Sequence, residues 1–192
     1  MKHFLTILIV LVIARFSFGQ NSKEESFRKA IKGIVQNLTK RDSIGLSKCI
    51  DKNEGVYILY TIGIQEFYSN YSRLGFSDST YPIAPFYDNV KITKLKYSSL
   101  PSFDCEKWTK TGMFVDTLKT DHFLSKIAID LNEKSFQKTS RADLNKIKSL
   151  ETKSRRIIIA DNEGGELIFY LGFVHNKWVL TIIDKATCDC SV

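Results

Sequence analysis

The chain of 192 residues has little histidine and little proline, with three residues of each beside ten glycines. So few prolines and glycines argue against a flexible linker, and the length suits one domain better than two. His3 lies in the apolar N-terminal stretch, which leaves His122 and His175 for chemistry. The sequence also lacks a Gly-x-Ser-x-Gly elbow, a phosphate-binding loop, a His-Glu-x-x-His motif and a dinucleotide fingerprint. These absences favour a protein without a cofactor or a bound metal.

The N-terminus has the organisation of a secretory signal peptide. A basic start at Lys2 is followed by an apolar run over residues 4–14 and then by small residues up to Gly19. The apolar run is shorter than the roughly 20 helical residues that span a bilayer, so we predict no stable membrane anchor. We therefore predict an exported protein, periplasmic or extracellular, with a signal peptide over residues 1–19 and a single domain over residues 20–192.

The charge balance is positive but modest. The formal net charge is +7, and two of its units, Lys2 and Arg15, leave with the predicted signal peptide. Such a balance aids solubility and attracts anions nonspecifically without identifying a nucleic-acid binder. Much of it lies within residues 141–156, which is typical of a solvated helix face running into a strand. We predict no nucleic-acid partner, and an anionic partner remains the alternative.

Capping residues and apolar spacing predict helices at the start and in the middle of the chain. Ser22 and Glu25 have the form of a capping box before an apolar 3/4 pattern, which predicts a helix over residues 23–39. Further helices are predicted after three N-capping residues, Asp42, Asp121 and Ser140. Strands are predicted over residues 56–60, 90–97, 113–115, 156–160, 167–174 and 178–184.

The last three strands form a predicted antiparallel meander that is apolar on both faces. One face carries Ile168, Tyr170, Val174, Trp178, Leu180, Ile182 and Asp184. The other carries Leu167, Phe169, Leu171, Phe173, Val179 and Ile183. A sheet with one solvated face would alternate apolar with polar residues. We predict an α+β fold with N-terminal helices packed in a curved antiparallel sheet. The second face is left to a cavity, another element or a second subunit.

Seven aromatic residues lie between Phe67 and Tyr87, at spacings that fit neither a helix nor a strand. Such a segment must bury its rings against the core or around a ligand. If it forms the mouth of a pocket, its tyrosines offer hydroxyls and ring faces. The predicted ligand-binding residues, from this segment and from the meander, are Tyr68, Tyr71, Tyr81, Tyr87, Tyr170 and Trp178.

Three stretches of the chain resemble a group of exported bacterial proteins of unassigned function. They are Phe27-Arg-Lys-Ala30 leading through Leu46-Ser-Lys48 to Gly55-Val-Tyr-Ile-Leu-Tyr60, Pro101-Ser-Phe-Asp-Cys105-Glu-Lys-Trp108 with Gly112, and Lys177-Trp-Val-Leu-Thr-Ile-Ile-Asp-Lys185 followed by Cys188-Asp-Cys190-Ser191. The order of elements is similar to the cone-shaped fold of the nuclear-transport-factor-like (cystatin-like) superfamily. The resemblance implies that fold and export. Some members of the superfamily are isomerases or dehydratases, whereas many only bind or dimerise, and no catalytic residue carries over to this chain.

Four cysteines follow the predicted signal peptide, and export favours disulfides among them. Four thiols allow three complete connectivities, and an extended segment disfavours a bond between Cys188 and Cys190. Cys105 lies in a turn-like segment and the tail after Asp184 needs fastening, so we predict that Cys105 pairs with Cys188 or Cys190. Our choice is Cys190, which leaves Cys188 and Cys49 free or paired with each other. The resemblance points the same way, because its members share a cysteine in both stretches.

Asp184 is the candidate for catalysis, at the end of an apolar strand and on the face of Tyr170. If that face lines a cavity, desolvation would raise the pKa of the carboxyl and suit it to proton abstraction. The alternative is that the strand simply ends there, with Asp184 solvated or paired to a lysine. Scarce histidine and missing motifs favour a noncatalytic exported module that binds a small apolar ligand, a protein partner or a second copy through its sheet face and aromatic segment. The alternative function is a cone-type isomerase or hydratase that uses Asp184 with tyrosine hydroxyls.

Overall fold

The computed structural model describes residues 22–76, 90–116, 123–163 and 166–190. In those residues the chain is α+β, with four helices and one sheet of seven strands. The helices are α1 over residues 22–39, α2 Ser43–Lys48, α3 Phe123–Glu133 and α4 Arg141–Lys153. The strands are β1 Val56–Ile62, β2 Gln65–Tyr71, β3 Leu95–Tyr97, β4 Gly112–Val115, β5 Ser154–Ala160, β6 Leu167–Val174 and β7 Lys177–Asp184.

Local sequence signals set where two of the helices begin. The Asp42 carboxylate accepts a hydrogen bond of 2.8 Å from the Gly45 N–H, which caps α2 as predicted. Ser140 caps α4 in the same way, accepting from the Asp143 N–H at 3.1 Å. The predicted cap Asp121 lies outside the described residues, although α3 does follow it. No described helix is both long enough and apolar enough to cross a membrane.

The sheet is mixed, with strand order β2-β1-β7-β6-β5-β4-β3. The C-terminal meander β5-β6-β7 is antiparallel, as predicted. The prediction of a wholly antiparallel sheet is wrong, because β1 runs parallel to β7 and β3 runs parallel to β4. Parallel neighbouring strands need a long crossover connection. Residues 63–176 connect β1 to β7, and residues 98–111 connect β3 to β4.

Helices lie against both faces of the sheet. On one face α1 and α2 bury their apolar sides in a cluster with Phe169, Leu171 and Leu180. On the other face α3 and α4 form a second cluster with Tyr170 and Ile182. The doubly apolar meander is therefore explained by a second helical layer, one of the three predicted alternatives. Burial of the meander needs no second subunit and no ligand.

A β-bulge in β7 changes which residues share a face. Tyr170 pairs with Ile182 but Leu171 pairs with Leu180, so Thr181 is the extra residue. One inserted residue reverses the alternation of the strand that precedes it. Leu180 and Trp178 therefore face α1 and α2, and the prediction that they share a face with Ile182 is wrong. The Thr181 hydroxyl donates to the Tyr170 carbonyl at 3.1 Å, which satisfies a polar group inside the core.

Strand β2 is absent from the sequence prediction, which gave its residues from Phe67 onward to the aromatic segment. It forms a hairpin with β1, in which Ile62 pairs with Gln65 across a two-residue turn. The first turn residue, Gly63, has a φ of 59°, a conformation that glycine adopts without strain. As an edge strand, β2 buries only Tyr68 fully and so lacks an apolar pattern. The strand predicted over residues 90–97 is shorter, because only its end forms β3.

Candidate functional site

The predicted ligand-binding aromatic residues do not come together in one place. Tyr68 and Tyr170 lie in the cluster under α3 and α4, where the Tyr68 hydroxyl is 2.5 Å from the hydroxyl of Thr139. Tyr71 and Trp178 pack on the opposite side of the sheet, with α1 and α2. Tyr81 and Tyr87 lie outside the described residues. The four described side chains are therefore divided between two layers of the core.

Trp178 has a structural role at the start of α1. Its ring centroid lies 4.7 Å from that of Phe27 and 5.1 Å from that of Phe173. The indole N–H donates to the Lys23 carbonyl at 3.2 Å, and the Lys23 ammonium lies 4.0 Å from the Phe173 ring centroid. These contacts hold the N-terminal part of α1 against the turn between β6 and β7.

Asp184 lies on the face of Tyr170 as predicted, paired in register with Ile168. Its side chain has 0% exposure and is neither solvated nor paired to a lysine. Arg156 Nη2 lies 2.9 Å from Asp184 Oδ2, and the Thr187 hydroxyl donates to the same oxygen at 2.7 Å. The N–H groups of Ala186 and Thr187 donate to Oδ1 at 3.1 Å and 3.0 Å. Oδ1 therefore holds the C-terminal tail, and Oδ2 holds both the tail and the Arg156 side chain.

The same tail is fastened by the predicted disulfide. Cys105 and Cys190 are bonded, with their Cα atoms 5.7 Å apart and a sequence separation of 85, which confirms the choice of Cys190. Cys49 and Cys188 are free thiols that pack into the clusters on opposite faces of the sheet, so they do not pair. Burial raises the pKa of Cys188 to about 12. Across the described ranges, no three His, Cys, Asp or Glu residues gather as metal ligands.

A cleft of about 840 Å³ lies beside α2, and we name it the α2 cleft. Its lining comes from the outer side of α2, the turn over residues 50–53, the segment over residues 73–75 after β2, and Lys177 at the start of β7. A smaller cavity of about 330 Å³ borders Asp184, whose buried carboxylate is already engaged. The α2 cleft therefore does not include Asp184, the residue that the sequence marks for catalysis.

Contacts with three other parts of the chain position α2 beside the cleft. Gly45 allows α2 to approach α1, because a Cβ atom there would lie 2.6 Å from the Asn37 side chain. The Leu180 N–H donates to the Cys49 carbonyl at 2.7 Å, which ties the end of α2 to β7. The Phe76 N–H donates to the Ser43 hydroxyl at 3.2 Å, which ties the segment after β2 to the start of α2. The walls of the cleft are therefore connected by hydrogen bonds.

The cleft combines an apolar floor with a positive rim. Ile50 and Leu74 are buried at its base, whereas Ile44 is 72% exposed at its edge. Its four cationic residues are Lys48, Lys52, Arg73 and Lys177, and its one acidic residue is Asp51. Sequence reasoning missed this set because its members come from four separate segments without a shared motif. The described start of the aromatic segment does line the cleft, but through residues 73–75 and not through its tyrosines.

Asp51 is engaged by groups of its own chain. Its Oδ1 atom accepts from the N–H groups of Asn53 and Glu54 at 3.0 Å and 3.3 Å. Its Oδ2 atom lies 3.2 Å from Nδ1 of His175. The hydrogen bond from the Asn53 N–H, supported by those from Glu54 and His175, keeps the pKa of the Asp51 carboxyl below its usual range despite opposition from burial.

We expect Asp51→Asn to lower the free energy of unfolding by about 1 kcal/mol at neutral pH, because charge-assisted hydrogen bonds become neutral ones. A carboxyl whose folded-state pKa is lowered stabilises the protein above its unfolded-state pKa, and this contribution disappears as the pH falls through the folded-state pKa. Urea unfolding of both proteins along an acid pH series measures the difference. A difference that persists unchanged at the acid end of the series would contradict the assignment.

Comparison of the chain with family models, curated proteins and solved structures finds no match. The geometry of the α2 cleft is therefore what defines the candidate site.

Proposed function

We propose that the chain is an exported, noncatalytic binding module with a nuclear-transport-factor-like cone fold, and that it binds a small molecule in the α2 cleft. The observation that carries the proposal is the cleft itself, whose volume of about 840 Å³ falls among those of small-molecule sites. Its buried Ile50 and Leu74 offer apolar contact, and the surrounding polar groups offer orientation. The long α1 helix, the short α2 helix and the terminal meander support the cone fold.

The state of Asp184 supports the noncatalytic part of the proposal. A general base must have a lone pair directed at the substrate. Both oxygens of Asp184 instead accept hydrogen bonds from Arg156, Ala186 and Thr187. The isomerase or hydratase alternative also needs tyrosine hydroxyls beside Asp184, and Tyr170 is buried in the core there. No observation on the described residues favours that alternative over binding.

We place the ligand in the α2 cleft and not on a face of the meander. Both faces of the meander are packed against helices, α1 and α2 on one side and α3 and α4 on the other. A ligand at either face would have to displace a helix from the core. The α2 cleft needs no such displacement, because its lining already forms a concave surface.

Binding of the neutral dye phenylnaphthylamine to the purified protein tests the proposal. We expect saturable binding that Ile44→Glu weakens about tenfold, because the variant replaces an apolar contact at the cleft edge by a charge. Ile44 is 72% exposed, so the substitution leaves the core intact. The matched control is Ile64→Glu at the β1–β2 turn, where the isoleucine is 89% exposed and lines no part of the cleft. Nonsaturable binding, or equal loss in both variants, would contradict a ligand site in the α2 cleft.

A further inference from the structure

We infer that the ligand of the α2 cleft is an amphipathic anion, with a carboxylate, sulfonate or phosphate group attached to an aliphatic or aromatic body. This inference rests on the proposed function and narrows the chemical class of its ligand. Two properties of the lining carry it: cationic side chains without acidic partners, and apolar side chains beside them.

Three of the four cations in the cleft are not neutralised by the protein. Lys48, Lys52 and Lys177 form no ion pair with any carboxylate of the described residues. Other lysines of the chain do have such partners, since Lys134 lies 2.8 Å from Asp130 and Lys146 lies 3.5 Å from Glu54. These three lysines line the cleft from α2, from the turn after it and from β7.

The acidic residue in the lining offsets one unit of this charge and forms no ion pair with the three lysines. Asp51 directs both oxygens to the N–H groups of Asn53 and Glu54 and to the His175 ring. Three lysines against one carboxylate leave the lining with an excess of positive charge. A concave surface with an excess of one charge raises the local concentration of the opposite charge, so the α2 cleft favours anions over cations.

The apolar part of the lining excludes a purely inorganic anion as the best-fitting ligand. Ile50 and Leu74 form a buried floor, and Ile44 extends the apolar surface to the edge. A small hydrated anion would leave this surface in contact with water, whereas a neutral apolar molecule would desolvate ammonium groups without pairing them. A molecule with both an apolar body and an anionic group satisfies both parts of the lining.

Two dyes that differ by one sulfonate test the inference. Anilinonaphthalene sulfonate is the anionic counterpart of phenylnaphthylamine, so their affinities isolate the contribution of the negative charge. We expect the anionic dye to bind about tenfold more tightly at low salt. The double variant Lys48→Gln with Lys177→Gln should lose that advantage and leave phenylnaphthylamine binding within about twofold. Added sodium chloride should weaken binding of the anionic dye more than of the neutral one.

The matched control is Lys29→Gln with Lys32→Gln, which removes the same charge from the exposed side of α1 without touching the cleft. Equal affinity of the two dyes, or an equal loss of anionic-dye affinity in both double variants, would overturn the inference. The proposed function would still stand in that case if phenylnaphthylamine binds saturably. If neither dye binds saturably, the proposed function fails as well. Displacement of the anionic dye by inorganic sulfate at matched concentration would overturn the apolar part of the inference.

Discussion

Replacement of Asp184 by alanine should lower the free energy of unfolding by about 3 kcal/mol, because it leaves the Arg156 guanidinium without its anionic partner. The Arg156 side chain is only 18% exposed and lies 2.9 Å from the carboxylate. The substitution also removes the acceptor of the hydrogen bonds that the N–H groups of Ala186 and Thr187 donate at the start of the tail. Urea unfolding followed by circular dichroism measures the effect.

Two further variants separate the buried pair from the general loss of a carboxylate. Glu133→Ala removes an exposed acid at the end of α3 and should change stability by less than about 0.5 kcal/mol. In the double variant Asp184→Leu with Arg156→Met, both charges are absent, so part of the lost stability should return. An Asp184→Ala protein as stable as the parent would refute the structural role. Phenylnaphthylamine binding by a folded Asp184→Asn protein should be unchanged, because Asp184 does not line the α2 cleft.

Removal of the Cys105–Cys190 disulfide should have the largest effect on stability, a loss of about 4 kcal/mol. The bond joins residues separated by 85 positions, so its absence restores much conformational freedom to the unfolded chain. Cys105→Ser with Cys190→Ser is the variant, and urea unfolding in the absence of reductant is the measurement. A reductant should destabilise the parent protein toward the variant and leave the variant unchanged.

The free cysteines provide the control for that measurement. Cys188→Ser and Cys49→Ser keep the disulfide and should cost far less. Both thiols are partly buried, and burial raises the pKa of Cys188 to about 12, so alkylation of the folded protein should be slow. Nonreducing peptide mapping gives a direct check of connectivity. A peptide that joins Cys105 to Cys49 or to Cys188 would show that the pairing is wrong.

Local signals in the sequence predict most of the helices and the C-terminal meander. The carboxylate of Asp42 and the hydroxyl of Ser140 each accept a hydrogen bond from the N–H three residues later. Interactions of such short range can be predicted from the sequence without knowledge of the fold. The parallel pairing of β1 with β7 depends on residues far apart in the chain, and no local pattern encodes it. The bulge at Thr181 also cannot be predicted from the sequence, because a single inserted residue leaves the apolar composition of β7 unchanged.

The candidate site shows the same division between local and long-range information. Alternation in β7 places Asp184 on its face, but its partner Arg156 lies 28 positions earlier on another strand. The α2 cleft draws Lys48, Arg73 and Lys177 from segments that meet only after folding. The Cys105–Cys190 bond could be predicted from the sequence, because the chain has only four cysteines and each therefore has few possible partners. Sites built from scattered lysines have no comparable constraint in the sequence.

The most direct test of ligand binding in the α2 cleft is a map of amide chemical shifts in the isotopically labelled protein, titrated with anilinonaphthalene sulfonate. We predict that the largest changes fall on the segments that contribute the lining: α2, residues 50–53, residues 73–75 and Lys177. Changes centred instead on Asp184 and its neighbours at the end of β7 would contradict the assignment of the site.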